Sequence, residues 1–216
     1  ILLRGENVFM GYHNQPDKTA ESIRDGWLRT GDIGFVDNEG FVKITDRMKD
    51  IIITAGGKNI TPSEIENQLK FSPYIKEAVV FGQERSYVAA FMNIDFENVG
   101  KWAENRQIAY MSYTDLSQKP EVYARIREEV VRVNEGLSAP ARIVRFVNLH
   151  KELDADDQEL TRTRKVRRGF VAEKYGVLVE ALYGEVEEVF VEAQVRYRDG
   201  REEVVETGVR VERVGE

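Results

Sequence analysis

The stretch "DRMKDIIITAGGKNITPSE", from Asp46 to Glu64, changes character several times within nineteen residues. A charged segment is followed by three consecutive isoleucines, a Gly-Gly pair and a helix start. Because β-branched isoleucines favour strands, the segment from Asp50 to Thr54 is predicted to be a buried strand. Two adjacent glycines permit a tight turn with positive φ. The stretch therefore predicts a strand, a turn and a helix in close succession.

The helix is expected to begin at Pro62. Thr61 is a favourable N-cap residue, proline suits the first helical position, and Glu64 completes a capping box. Ile60 and Ile65 flank this cap and are predicted to form a hydrophobic staple across it.

The residues before this stretch predict a hairpin with its turn at Asp37 to Gly40. The apolar residues on its flanks are expected to face a core: Phe35, Val36, Phe41, Val42 and Ile44.

The residues after the stretch alternate strand and helix patterns. Strands are predicted at "IKEAVVFG", "YVAAFMNID" and "IVRFVNL", which begin at Ile75, Tyr87 and Ile143. Amphipathic spacing predicts a helix from Glu121 to Leu137, and the segment from Arg167 to Leu182 is also predicted to be helical. The tail alternates in two runs around Asp199-Gly200, which predicts a β-hairpin.

The composition suits a soluble globular protein, because 42% of the 216 residues are hydrophobic and 32% are charged. No apolar run is long enough to predict a transmembrane helix. The net charge of −7 argues against nonspecific nucleic-acid binding as the main role. The chain has no cysteine and only two histidines, His13 and His150, far apart in sequence. No disulfide, thiol catalysis or metal site is therefore expected in it.

Two residues of the first part carry groups that suit a nucleotide. Asp32, in "RTGD", has a carboxylate that can accept hydrogen bonds from the 2′ and 3′ hydroxyls of a ribose. Arg47 offers a rigid fork of donors to phosphate or ribose oxygens. Taken singly, a turn aspartate and a surface charge in a polar linker explain these residues better.

Two later positions also suggest chemistry. Gly56 and Gly57 allow close approach by another molecule, although an ordinary hairpin turn would use them equally well. Lys165, in "ELTRTRKVRRG", could stabilise negative charge in a carboxylate–phosphate reaction. One alternative is that it is one cation among several at a solvated helix start. Nucleic-acid contact is a second alternative, which the acidic chain disfavours.

The order of four motifs is more specific than any single residue. They are "NVFMGYHNQPDKTAE", "DGWLRTGDIG", "GFVKITDRMKDIIITAGGKNITPSEIE" and "ELTRTRKVRRGFVAEKY". In this order the chain resembles the adenylate-forming enzymes, and among them most closely the long-chain fatty acyl-CoA synthetases. The resemblance covers about residues 1 to 183, and the tail from about Gly184 lies outside it.

The resemblance implies a reaction in two steps and an α+β fold in three parts. A carboxylate attacks the α-phosphate of ATP, giving an acyl-adenylate and pyrophosphate, and the thiol of CoA then displaces AMP. Residues 1–48 would be the end of a large, β-rich, adenylate-binding domain. Residues 49–183 would be a small mobile α/β domain with a central sheet flanked by helices. Residues 184–216 would be an appended β-hairpin tail.

The resemblance also implies a role for each candidate residue. Asp32 would bind the ribose hydroxyls, Arg47 would contact the nucleotide, and Lys49 would be the hinge whose backbone absorbs the domain rotation. Gly56 and Gly57 would lie on the loop that serves thioester formation beside the pantetheine arm of CoA. Lys165 would enter the site for adenylation. Mg²⁺ would bind with ATP in the large domain.

The chain departs from the family pattern at several positions. Many relatives have proline near the position of Arg162 and glycine immediately before the catalytic lysine, where this chain has Arg164. Either arginine could therefore share the role of Lys165. Other relatives have a lysine where this chain has Ile53. The phosphate loop, the acyl pocket and the metal-binding glutamate of the large domain are not among these residues.

Because the chain begins at Ile1 and not at Met, we expect it to be a fragment of a longer ligase and inactive alone. The resemblance implies a fatty acid or another carboxylate as substrate, a cytoplasmic location and no nucleic-acid partner. It leaves open a peripheral membrane contact and a homodimer that covers residues 1–48. Two alternatives remain, a non-catalytic binding or assembly module and one chain of a split enzyme.

Overall fold

A computed structural model describes residues 1–196 and 202–215. The chain divides into two compact units, Ile1–Ile51 and Ile52–Glu216. Each unit is described by itself below.

The first unit consists of short strands, one helix and a hairpin. Its elements are β1 (Leu2–Leu3), α1 (Pro16–Ser22), β2 (Ile23–Arg24), β3 (Trp27–Arg29), β4 (Asp32–Val36), β5 (Val42–Arg47) and a 3-10 helix (Met48–Asp50). The first three strands form a sheet in the order β1-β3-β2, and β4 pairs with β5 antiparallel. The predicted turn is confirmed, since the amide of Gly40 donates to the carbonyl of Asp37 at 3.0 Å.

The prediction that the hairpin flanks face a core is wrong within this unit. Phe35, Val36, Phe41, Val42 and Ile44 are all more than half exposed. Residues 1–51, all of which the structure describes, contain no buried hydrophobic side chain. A two-stranded hairpin has no core of its own, and no other element of this unit covers either face.

The second unit is built on a four-stranded sheet with the strand order β13-β10-β9-β8. These strands are β8 (Ile75–Phe81), β9 (Val88–Ile94), β10 (Ile143–Asn148) and β13 (Glu212–Arg213). β9 runs antiparallel to β8 and parallel to β10, and β13 pairs antiparallel with β10. Three of the four strands confirm sequence predictions, whereas β13 was not predicted.

Helices cover both faces of this sheet. They are α2 (Pro62–Lys70), α3 (Phe96–Glu104), α4 (Tyr113–Ser117), α5 (Pro120–Glu135), α6 (Arg168–Lys174) and α7 (Gly176–Tyr183). Val88, Ala90 and Met92 of β9 lie in a first apolar cluster with residues of α2, α3 and α5. Ala89 and Phe91 lie in a second cluster with residues of α6 and α7. The expected central sheet flanked by helices is therefore confirmed, and the alternation along β9 divides the core into two layers.

The opening stretch forms two short strands and a helix. The predicted strand from Asp50 to Thr54 shrinks to β6 (Ile52–Ile53), which pairs with β7 (Asn59–Ile60). Ile52 is 4% exposed and enters the first cluster, whereas Ile53 is 49% exposed because successive strand residues face opposite sides.

The start of α2 at Pro62 is confirmed, but its predicted cap is wrong in part. Ile60 and Ile65 are both buried in the first cluster, as a hydrophobic staple requires. The side chain of Thr61, however, makes no capping hydrogen bond, so the capping box does not form. Proline at the first helical position, with its preset φ, and the buried isoleucines define this helix start instead.

The helix predicted from Arg167 to Leu182 is two helices. Between α6 and α7, Tyr175 has φ −104° and ψ 30°, outside helical values. Its hydroxyl donates to the buried carboxylate of Glu159 at 2.6 Å. Gly176, an unfavourable residue in a helix interior, follows Tyr175 directly and is the local signal for the break that the predicted single helix overlooked.

The tail forms the predicted hairpin, with β11 (Glu188–Arg196) antiparallel to β12 (Glu202–Arg210). The predicted turn at Asp199-Gly200 lies outside the described residues. Beyond the hairpin, Val211 is buried in the second cluster and β13 extends the central sheet. The hydroxyl of Tyr123, on α5, donates to the carbonyl of Arg210 at 2.7 Å. The tail is thus packed into the second unit.

Two buried charged side chains connect the tail with the sheet and α5. Buried Arg145, on β10, donates to the carbonyls of Leu182, Gly184 and Val186. Buried Glu212, on β13, pairs with Arg127 of α5 at 3.1 Å and with Arg210 at 3.0 Å.

His150, which follows β10, is 5% exposed, and burial lowers its pKa to about 4. Lys151 and Lys174 lower this pKa further, while Glu159 opposes them. The pKa in the folded state therefore lies below the unfolded value near 6.5, so the unfolded chain binds more protons between these values. The free energy of unfolding is expected to fall by up to about 3 kcal/mol as the pH decreases from 6.5 to 4.

Replacement of His150 by leucine should remove this decrease in the free energy of unfolding between pH 6.5 and 4. Urea denaturation across the pH range measures the decrease. The exposed His13→Leu variant is the matched control and should keep the wild-type pH dependence. An H150L variant whose stability differs from wild type by the same amount at every pH would contradict this prediction.

Candidate functional site

The first unit brings Asp32 and Arg47 together. They are directly opposed on β4 and β5, and Arg47 Nε lies 3.0 Å from Asp32 Oδ1. Gly31, with φ +75°, turns the chain just before Asp32, and its carbonyl accepts from the amide of Met48 at 2.8 Å. The pair thus sits at the open end of the hairpin, where both side chains reach solvent. One carboxylate oxygen of Asp32 faces the guanidinium, which leaves the other able to accept from a ligand hydroxyl.

Lys49 lies in the 3-10 helix after β5 and is exposed. The boundary between the two compact units follows two residues later, after Ile51. The backbone is extended on both sides of this helix, at Arg47 and at Ile51. The candidate hinge therefore lies in a short connecting segment.

Gly56 and Gly57 form the turn between β6 and β7. The amide of Gly57 donates to the carbonyl of Thr54 at 2.8 Å, and Gly57 has φ +70°, which favours glycine. A Cβ at Gly57 would meet no atom within 4 Å, and one at Gly56 would meet only the Thr54 hydroxyl at 3.9 Å. Space above this turn is therefore open.

The glycine turn is supported from the second unit's own sheet. The amide of Ala55 donates to the carbonyl of Arg85 at 2.9 Å, and the amide of Glu84 donates to the carbonyl of Ile53 at 2.8 Å. These bonds tie the turn to the β8–β9 connection. The turn is fixed at its base and open above.

Lys165 lies on a small hairpin that runs from Glu159 to Arg167, which we call the lysine hairpin. Leu160 and Val166 form an isolated bridge, and the amide of Thr161 donates to the carbonyl of Lys165 at 2.8 Å. The amide of Lys165 donates in return to the hydroxyl of Thr161 at 3.0 Å. The backbone of Lys165 is therefore held from both sides, while its side chain is exposed.

The five cations from Arg162 to Arg168 separate into two groups. Arg168 pairs with Glu66 of α2 at 2.6 Å, and Arg167 donates to the carbonyl of Gln158 at 3.2 Å. Arg162, Arg164 and Lys165 have no ion pair or side-chain hydrogen bond within residues 1–196 and 202–215. Among the five cations, these three side chains are thus the ones without such a contact in the described part of the chain.

Arg164 has φ +59°, a left-handed conformation that costs an ordinary residue about 1–2 kcal/mol. This is the position where many adenylate-forming enzymes have glycine. Replacement of Arg164 by glycine is expected to raise the free energy of unfolding by about 0.5–1 kcal/mol. The relief of backbone strain exceeds the entropy that glycine loses, about 0.5–1 kcal/mol.

Urea denaturation of the 216-residue chain measures this effect. Arg162 is in the same turn but does not have positive φ, so Arg162→Gly is the matched control and should lower stability. An equal loss of stability in both variants would show that backbone strain at Arg164 is not what the substitution changes.

The base of the lysine hairpin is a buried carboxylate. The side chain of Glu159 is 0% exposed and accepts from the Lys174 ammonium at 2.8 Å, the Tyr175 hydroxyl at 2.6 Å and the Asp154 amide at 2.8 Å. Burial by itself would raise the pKa of Glu159, but the hydrogen bonds from Lys174, Tyr175 and Asp154 lower it below its ordinary value. Glu159 is therefore ionised at neutral pH.

Asp157 reinforces this network, since it contacts both Lys151 and Lys174. No sequence pattern indicates a functional role for Glu159 or Tyr175. Glu159 lies within the motif "ELTRTRKVRRG", but its partners come from another loop and from α6, so the motif alone did not indicate its role.

A polar cleft of about 590 Å³ lies elsewhere, between β10, β13 and the beginning of the tail. Its lining includes Arg127, Arg145, Arg210, Glu212 and Arg213 and none of the candidate site residues. Most of these side chains hold the tail in place. The candidate functional groups are therefore the hairpin pair in the first unit and, separately, the glycine turn and the lysine hairpin in the second unit.

No group of three or more potential metal ligands occurs among the described residues. Within the same part of the chain, no helix has the length and apolar character that a membrane span requires.

The fold and the sequence pattern together define the class. The chain belongs to the AMP-binding enzyme C-terminal domain family, whose pattern matches residues 49–187. The resemblance to adenylate-forming enzymes is thereby confirmed.

Individual relatives are more specific. Long-chain-fatty-acid–CoA ligase FadD15 of Mycobacterium tuberculosis is 41% identical over 184 residues, which cover 85% of this chain and 31% of that protein. The adenylation domain of a carboxylate reductase from Mycobacterium chelonae superposes with a TM-score of 0.67 at 26% identity, covering 82% of this chain and 26% of that one. O-succinylbenzoate Coenzyme A synthetase from Bacillus subtilis, solved in complex with AMP, superposes with a TM-score of 0.51 at 26% identity, covering 78% and 28%. The chain spans less than a third of the length of each of them.

Proposed function

We propose that this chain is the C-terminal portion of an AMP-forming long-chain fatty acid–CoA ligase. The whole enzyme would convert a fatty acid, ATP and CoA into acyl-CoA, AMP and pyrophosphate through an acyl-adenylate. The name of the mycobacterial relative supports a long-chain fatty acid as the carboxylate substrate. The complex of the Bacillus synthetase with AMP supports a nucleotide site in this fold.

The proposal rests on the exposure of the Lys165 side chain and on the hydrogen bonds that hold its backbone. In a family of adenylate-forming enzymes, this chain holds an exposed ammonium group without a partner among the described residues, on a hairpin whose backbone is fixed. A pre-positioned cation can stabilise charge that develops on a phosphate without reorganising at the moment of reaction. We assign Lys165 to the adenylation step on this basis.

We assign nucleotide binding to Asp32 and Arg47. The free oxygen of the Asp32 carboxylate can accept from the ribose hydroxyls, and Arg47 can donate to an oxygen of the nucleotide from its exposed side. Their mutual ion pair orients the carboxylate, so it is ready to accept hydrogen bonds. These groups fit AMP as a ligand, because one supplies acceptors for hydroxyls and the other supplies donors for phosphate.

We assign the turn at Gly56 and Gly57 to the thioester-forming step. The open space beside these glycines can accommodate the narrow pantetheine arm of CoA. We assign the hinge to Lys49, because the backbone torsions of a short exposed segment can change without the loss of packing contacts. Mg²⁺ is assigned with ATP to the large domain.

The experiment compares acyl-CoA formation by the full-length enzyme and by the 216-residue chain alone. With a long-chain fatty acid, ATP, Mg²⁺ and CoA, the full-length enzyme should form AMP and acyl-CoA in equal amounts. The chain alone should form neither above background, because the phosphate loop and the acyl pocket are assigned to the large domain. Rapid acyl-CoA formation by the chain alone would contradict the assignment of the phosphate loop and the acyl pocket to the large domain. If the full-length protein released no AMP, the chain would be better explained as a non-catalytic module.

A further inference from the structure

The reach of Lys165 depends on how the lysine hairpin is held at its base. The tip of the hairpin is a tight turn, in which the amide of Arg164 donates to the carbonyl of Thr161 at 2.8 Å. Toward the base, the amide of Arg167 donates to the carbonyl of Glu159 at 2.8 Å. Glu159 and Arg167 therefore close the base of the hairpin.

The side chain of Glu159 is held from several sides at once. Its carboxylate accepts from the amide of Asp154, at the beginning of the preceding loop, and from Lys174 and Tyr175 at the end of α6. The ammonium of Lys151 lies 3.3 Å away. One fully buried carboxylate thus joins the loop before the hairpin to the helix that follows it.

Buried ionised carboxylates are rare, because burial of a charge is unfavourable unless the charge is paired and hydrogen-bonded. Apolar side chains could fix a loop without the unfavourable free energy of burying a charge. Here the charge is satisfied by two ammonium groups, one hydroxyl and one amide, which constrain the carboxylate in direction as well as in position. Such a network suits a hairpin whose tip must be placed accurately.

We propose that Glu159 is a positioning residue for adenylation, whose buried carboxylate fixes the lysine hairpin and so places the ammonium of Lys165. This inference rests on the proposed role of Lys165 in the adenylation step. It assigns Glu159 no contact with substrate, so its effect is transmitted only through the hairpin. A small displacement of a group that stabilises a transition state can reduce its effect by about a hundredfold.

The experiment uses the full-length enzyme with Glu159→Gln, which keeps the shape of the side chain and removes its charge. Adenylation is measured as pyrophosphate release with fatty acid and ATP, and thioester formation is measured from a supplied acyl-adenylate and CoA. We expect E159Q to slow adenylation by about tenfold or more and to leave thioester formation within about twofold of wild type. Glu173→Gln is the matched control, since Glu173 lies on α6 next to Lys174, is exposed, and should behave as wild type in both steps.

Limited digestion with trypsin gives a readout that does not depend on activity. The hairpin carries cleavage sites at Arg162, Arg164, Lys165 and Arg167, so a loosened hairpin should be cut there several times faster in E159Q than in wild type. Cleavage elsewhere in the chain should keep its wild-type rate. Acceleration at all sites would show general unfolding and would overturn the positioning role.

Two further variants separate the possible failures. Lys165→Ala tests the proposed function itself, because equal loss in both steps would overturn the role on which this inference rests. If K165A slows adenylation selectively and E159Q does not, the positioning role alone is overturned. If E159Q does not fold, Tyr175→Phe decides by the same criteria, since it removes one hydrogen bond of Glu159 and keeps the ring.

Discussion

Lys165→Ala in the full-length enzyme is expected to slow adenylation by roughly 10²–10³-fold, which is the usual effect of removing one pre-positioned group from a developing charge. Thioester formation from a supplied acyl-adenylate should stay within about twofold of wild type. Negative charge develops around the α-phosphate when the carboxylate attacks, and a nearby ammonium stabilises it. Attack by the thiol of CoA needs room for the pantetheine arm, so the loss of this lysine should matter little there.

The neighbouring arginines provide matched controls, because Arg162 and Arg164 are exposed and without a partner among the described residues, as Lys165 is. If Lys165 acts alone, Arg162→Ala and Arg164→Ala should each change adenylation by less than about threefold. If one of them shares the role, its alanine variant should approach the defect of K165A. Pyrophosphate release and acyl-CoA formation, measured separately, distinguish these outcomes. Equal loss in both steps on replacement of Lys165 would remove its assignment to adenylation.

Local patterns were sufficient for the elements whose apolar residues face a core within their own unit. β8, β9 and α5 were predicted for this reason, and β9 shows the principle most clearly because alternate residues enter different clusters. The turn at Asp37 to Gly40 was predicted, but the pairing of Asp32 with Arg47 was not. The strands pair in one register from Val36 and Val42 to Gly34 and Ile44, and a register shift between Ile33 and Gly34 then places Asp32 opposite Arg47, so two residues noted separately in the sequence become one pair.

Two of the differences lie where the local pattern was incomplete. Tyr175, at the break between α6 and α7, is followed by Gly176 and donates to Glu159 outside the helix, and Thr61 makes no capping hydrogen bond although α2 begins at Pro62. The lysine hairpin is a similar case, because the sequence indicated Lys165 but not the carboxylate that holds its base. β13 has only two residues, Glu212 and Arg213, which is too short for an alternating apolar pattern to predict a strand.

The tail provides the second large prediction. Val209, on β12, is fully buried in the second cluster with Phe91 and Leu178. Val209→Asn is expected to lower the free energy of unfolding of the second unit by about 3–5 kcal/mol. The loss of buried apolar surface accounts for about 1.5–3 kcal/mol, and the buried amide without a partner adds about 1–3 kcal/mol. Because the family pattern ends at residue 187, such an effect would show that stability of the domain depends on residues beyond it.

Urea denaturation can test this through Trp102, which packs against the first cluster, on the other face of the sheet from Val209. A Trp27→Phe background makes Trp102 the only tryptophan of the chain. Val204→Asn is the matched control, because Val204 lies on the same strand, faces the opposite side and is 64% exposed. It should cost about 1 kcal/mol or less, within the range of strand preferences. If V209N leaves the Trp102 transition unchanged, the hairpin unfolds separately and the tail is an appendage. A shifted transition requires that β12 and β13 fold in one cooperative step with the sheet that carries β8, β9 and β10.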